Sequence, residues 1–250
     1  MTLRVIWRGS GLVRGVSSVR KLVGLVLLTV LGPAVAGETG TRIGRAVSLE
    51  SEMPLYAEHH EETREGEKVV SATVRYVDAE GVAFARKRID FVPDRFLPTF
   101  AFENTRSGHV ASLTRNEQGV KLRYRESASV EVTETTVDVP PDAIGDAGFD
   151  RFIIANWDEL VSGATLVRPF LVPSRQTFVR FAIASVEASS DVIHFEITPE
   201  SWLLKLVVPV LSVEYDAPRR RLLSYEGLSN VRDDSGEPYL VRIRFTYPAK

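Results

Sequence analysis

The chain has 250 residues, 31 basic against 33 acidic side chains, and no cysteine. The missing cysteine excludes thiol catalysis, zinc–cysteine centres, iron–sulfur ligation and disulfides. Its apolar and aromatic content is that of a folded chain rather than a disordered one.

The first element is an export signal over residues 1–36. Arg4, Arg8, Arg14, Arg20 and Lys21 precede an apolar run from Leu22 to Leu31, which Gly32-Pro33 and the small triplet Ala34-Val35-Ala36 close. A basic start, a short apolar stretch and an A-x-A site are the ordered parts of a cleaved Sec-type signal peptide. The run is too short, and too broken by proline, for a membrane span of about 20 residues. No cysteine follows it for lipid attachment, so cleavage leaves no transmembrane anchor. The basic segment is long for such a signal, which points to a start near Val16 or Val19. Removing residues 1–36 leaves 214 residues (250 − 36), with 26 basic (31 − 5) against 33 acidic, a net of −7. That balance argues against a nucleic-acid surface and gives no polybasic membrane patch. The form of the signal points to the periplasm of a Gram-negative cell.

Residues 37–53 are polar and read as a flexible N-terminal segment. Residues 54–250 read as a single antiparallel β domain. Its strands are expected near 54–63, 67–77, 82–91, 98–106, 109–116, 119–126 and 128–138, and again near 165–172, 176–188, 191–199, 207–216, 220–228 and 238–247. Three turns share an Asp/Asn-x-x-Gly pattern: Asp78 to Gly81, Asn116 to Gly119 and Asp233 to Gly236. Such turns want Asp or Asn first and a glycine able to take positive φ at the end. Period-two alternation, as in Ile193, Phe195 and Ile197 against His194, Glu196 and Thr198, predicts a sheet with one apolar face. Ile193, Phe195, Ile197, Val213, Tyr215, Leu223, Tyr225, Val241, Ile243, Phe245 and Tyr247 form that face towards the C-terminus. Between the two strand groups, Phe149, Phe152, Ile153, Trp157, Leu160 and Val161 fall on one helical stripe. They predict a helix over 148–162, with Asp146 as N-cap and Gly163 as the stop. A short helical turn is expected near 199–204.

Chemistry-bearing clusters are few. Glu58, His59, His60, Glu61 and Glu62 lie together, but neighbours in a strand point to opposite faces and cannot easily share an ion. The expectation is a surface strand, with His109 and His194 solvated. Arg219-Arg220-Arg221 reads as a solvated turn, with an anion site as its sharper alternative. No G-x-S-x-G, H-E-x-x-H or G-x-x-x-x-G-K occurs, so no catalytic residue, metal ligand or cofactor site is assigned.

The signal peptide, the glycine-turn hairpins, the single mid-chain helix and the late segment Val213-Glu214-Tyr215 … Leu223 to Asn230 … Val241 to Phe245 together resemble the periplasmic β-clam proteins. These are the lipoprotein-carrier superfamily and uncharacterised exported families similar to it. The resemblance implies a mainly β fold: a curved antiparallel sheet, or half-open barrel, with one amphipathic helix on its concave side. It also implies carriage of an apolar, lipid-like ligand. Phe149, Ile153, Trp157, Phe195, Tyr215, Tyr225 and Phe245 are then the candidate cavity-lining residues. The alternatives are a non-catalytic envelope protein with a filled core and a protein partner, and an uncharacterised hydrolase.

Overall fold

The architecture follows from a computed structural model that describes residues 38–117, 119–205, 209–233 and 236–248. The export signal lies outside the described residues. The first half of the sheet comprises β1 (Glu38–Ser48), β2 (Pro54–Glu65), β3 (Lys68–Val77), β4 (Ala83–Asp90), β5 (Thr99–Asn104), β6 (Val110–Asn116), β7 (Gly119–Arg125) and β8 (Thr133–Val137). Two short helices follow, α1 (Phe149–Ala155) and α2 (Trp157–Val161). The second half comprises β9 (Thr165–Val172), β10 (Thr177–Ala188), β11 (Val192–Pro199), a four-residue helix α3 (Trp202–Lys205), β12 (Leu211–Asp216), β13 (Arg221–Arg232) and β14 (Pro238–Thr246).

The 14 strands form one antiparallel sheet in the order β8-β7-β6-β5-β4-β3-β2-β1-β14-β13-β12-β11-β10-β9. Chain neighbours pair throughout, β1 and β14 join the two halves, and the sheet is open between β8 and β9, where the helices are inserted. Hairpins of this kind need tight turns. Gly81 and Gly236 supply them at φ of +81° and +90°, each donating its amide to the Asp three residues earlier.

The sheet is strongly curved. Side chains from β4 and from β9 line one small cavity. Those strands are nine steps apart in the order, about 43 Å across a flat sheet at ~4.8 Å per strand. The open edges also approach each other. Gln176, just before β10, donates to Thr133 and shares a 2.7 Å bond with Thr135 on β8. Ile144 bridges to β9, donating to Pro169 and accepting from Leu171. One apolar cluster, with Leu97, Leu113, Leu122, Ala143 and Leu171, spans both ends of the sheet. The edges are thus bridged by side chains and a covering segment rather than by a ladder, which shields them from other chains.

Residues 38–48 are not a loose tail. They form the strand paired with β2 on one side and β14 on the other. Polar composition concealed this, because in a strand only every second side chain need face the core. The expected long helix is broken at Asn156, whose backbone leaves the helical region and whose side-chain amide donates to Phe152. Its apolar stripe nonetheless packs as expected, with Phe152, Ile153, Trp157 and Leu160 buried against β9–β12. Asp146 does not cap the helix; Gly145 and Gly148 hold the cap positions, and the Asp146 carboxylate turns to Lys87. On β13 the buried residue is Leu222 rather than Leu223. The register shifts opposite Glu214–Tyr215, and such a bulge moves the following side chains to the other face.

Candidate ligand-binding cavity

Two apolar clusters fill most of the sheet's interior. One lies under the helices, around Trp157, Phe195 and Tyr215; the other lies between β2–β5 and β13–β14, around Tyr56, Tyr76, Phe102 and Ile243. Where they meet is a cavity of about 180 Å³. Its apolar walls include Val74, Tyr76, Ile197, Val213, Leu222 and Ile243.

Of the seven side chains expected to line a cavity, Phe149, Tyr215, Tyr225 and Phe245 do so. Ile153, Trp157 and Phe195 do not: they are buried in the helix-side cluster. Trp157 stands edge-on to Phe195 and Tyr215, with ring centroids 5.6 and 5.7 Å away. The space beneath Trp157 is filled, and the hollow lies further along, beside the N-terminal turn of α1.

The cavity also has a charged wall. On β2, period-two alternation puts Tyr56, Glu58, His60 and Glu62 on the inner face and His59 and Glu61 on the outer one. Across the ladder His60 faces Arg42 on β1 and Val74 on β3, while Glu58 faces Gly44 and Tyr76. The α1 helix brings Asp150 and Arg151 over this wall. Arg151 pairs with Glu62 at 2.6 Å and with Asp150 at 3.4 Å; Arg42 pairs with Asp150 at 3.5 Å. The Tyr215 hydroxyl donates to Asp150 at 2.9 Å, and Arg64 reaches Glu62 from outside at 2.9 Å. Lys87 on β4 pairs with Asp146, which also accepts from Asn230 at 3.2 Å. Glu58 meets His60 at 2.8 Å.

Burial and neighbours set the charge states. Burial pushes the His60 imidazole below its usual range, and Arg42 adds to this against the opposing bond to Glu58, so the ring is neutral at neutral pH. Burial pulls Glu62 up, but Arg151 and Arg42 outweigh it and hold its carboxyl below the ordinary carboxylate range. Burial opposes the charge on Arg42, yet Asp150, Tyr247 and Glu62 raise its pKa overall. Tyr215 and Tyr76 are pushed up by burial and by Asp150 and Glu58 respectively, so both stay protonated.

Other expectations change as well. Glu58 is 7% exposed and His60 is also largely enclosed, so the inner half of the His/Glu cluster lies inside the sheet rather than on its surface. His109 is buried as well, its Nδ1 2.6 Å from the Arg125 carbonyl and its ring against Phe102 and Tyr124. Arg219 and Arg220 pair with Asp216 and Asp158, and Arg221 stacks on the Tyr247 ring, so two of the three charges of the turn are met by carboxylates of the protein itself. Among the described residues no three His, Asp or Glu groups are placed to hold a metal ion, and no helix is long and apolar enough to cross a membrane.

Sequence reasoning missed the charged wall. β2 is polar on both faces, so no apolar stripe marks an inside. One signal was available on β4. Ala85, Lys87 and Ile89 share a face, and a lone cation on an apolar face asks for a buried partner. Compared with protein families, with curated proteins and with solved structures, the chain shows no match.

Proposed function

We propose that this is an exported, periplasmic, non-enzymatic binding or carrier protein, whose ligand lodges an apolar portion in the cavity between the two core clusters. The observation that carries the reading is a hollow between the two core clusters, with aliphatic and aromatic walls and a few convergent polar groups along one side. Its size narrows the ligand class. At about 180 Å³ it exceeds the ~150 Å³ that holds a benzene ring. It falls short of the ~300 Å³ at which drug-sized sites begin. The bound portion is therefore a ring or a short chain, either a small molecule or the end of a longer lipid-like one.

Native mass spectrometry of protein purified without detergent tests this. A mass increment that denaturation releases is expected, and Ala72→Leu, which grows a wall residue into the cavity, removes it. Ligand-free protein that also fails to take up benzene or xenon would refute the reading. Fractionation with N-terminal sequencing tests the export half: a mature chain starting at Gly37 in the periplasm is expected.

A second reading, an envelope protein that docks a protein partner, draws on α3, where Trp202 and Leu203 are 69% and 58% exposed. In-cell cross-linking from Trp202 to one protein, with no co-purifying small molecule, would favour it.

A further inference from the structure

The cavity's charge pairing is lopsided. Its lining carries the cations Arg42, Lys87 and Arg151, with Arg64 reaching Glu62 from outside, against the carboxylates Glu58, Glu62, Asp146 and Asp150, and the cations are unevenly shared among them. Three of the carboxylates have a cation: Glu62 has Arg151 and Arg64, Asp150 has Arg42 and Arg151, and Asp146 has Lys87. Glu58 has none. Its cross-strand neighbours are Gly44, which has no side chain, and Tyr76, which brings no charge. Among the described residues its one hydrogen-bond partner is His60, whose burial keeps the ring neutral. A carboxylate nine-tenths enclosed is costly to leave without a counter-charge. Tyr76, opposite Glu58 on the ladder, and Tyr225 line the same cavity, and an aromatic ring near a carboxylate adds to the attraction for a cation.

The guanidinium donors that lack partners do not offset this. The Nε atoms of Arg42 and Arg151 are unsatisfied, but both are sealed from solvent-sized contact; both terminal nitrogens of Arg151 meet carboxylates, and Arg42 is held between Asp150 at 3.5 Å and Tyr247. An anion entering the cavity would find every cation engaged and Glu58 repelling it.

We propose that the cavity selects a small organic cation: a molecule with a ring-sized or short-chain apolar body and one ammonium group, which Glu58 neutralises beside the rings of Tyr76 and Tyr225. This rests on the cavity being a ligand site and adds the sign of the ligand's charge.

Three probes of equal size and different charge test it: benzylamine, benzyl alcohol and benzoate, titrated into the full protein at neutral pH by calorimetry or NMR. Benzylamine is expected to bind at least about tenfold more tightly than benzyl alcohol, about 1.4 kcal/mol, with benzoate weakest. Glu58→Gln should bring benzylamine to within about threefold of the alcohol measured on the same variant. The wild-type ranking needs no variant, so a Glu58→Gln protein that fails to fold does not rescue the idea. Equal binding of amine and alcohol, or tightest binding of benzoate, overturns the cation preference and leaves the cavity reading intact. No binding of any probe overturns both.

Discussion

Replacing Trp157 by alanine tests whether the sheet is filled beneath the helices. Trp157 is buried, stands edge-on to Phe195 and Tyr215, and carries the Arg220 guanidinium 5.4 Å from its ring centre. Deleting a buried Trp costs about 3–5 kcal/mol through lost transfer energy and the cavity left behind. The edge-to-face contacts, ~0.5–1.5 kcal/mol each, fall largely within that range because effects in one cluster do not add. A chain of this size loses about 2–4 °C of Tm per kcal/mol. Trp157→Ala should therefore lower Tm by about 6–20 °C in a far-UV circular dichroism melt. Trp157→Phe keeps a ring against Phe195 and should cost no more than about half of that loss. Because Trp157 does not line the cavity, Trp157→Phe should also bind the small probes like the wild type. A fall of less than about 3 °C in the alanine variant would show that the ring is not packed as described, and the filled-core account would fail.

Stability should fall as the pH drops from about 7 through 6.5. Burial depresses both His60 and His109, so the unfolded chain takes up protons near 6.5 while the folded one does not. Urea titrations at several pH values check this. His60→Gln should remove part of the slope, and a flat profile between pH 7 and 5.5 would contradict the burial of both rings. A further loss is expected below about pH 4.3, as Glu62, held low by Arg151 and Arg42, loses its charge. At Gly148 an added Cβ would lie 2.0 Å from the Phe96 carbonyl oxygen, which is backbone and cannot swing aside. Gly148→Ala should cost about 2 kcal/mol or more by overpacking the entry to α1. A melt unchanged within about 2 °C would count against that close approach.

Periodicity in the sequence determined the strands, their turns and the buried stripe of the helices. These are local properties: an apolar residue every second position must face a core, and a glycine after Asp-x-x closes a hairpin. The mainly β, antiparallel fold class expected is the one the strands form. What stayed illegible depended on partners distant in the chain. Residues 38–48 look like a polar tail until β14, some two hundred residues away, is seen to pair with them. Leu222 and Leu223 can be told apart only by a bulge opposite β12. Tyr225 and Phe245 line the hollow while Phe195 does not, because α2 presses Trp157 onto one part of a continuous apolar face and leaves the next part uncovered. Glu58, His60 and Glu62 read as surface residues because the sequence shows their charge but not the curvature that turns their face inward. Tertiary structure alone decided where the core is hollow and which carboxylate stands there without a cation. Packing and charge pairing are sums over neighbours brought together by the fold, and no local pattern records them.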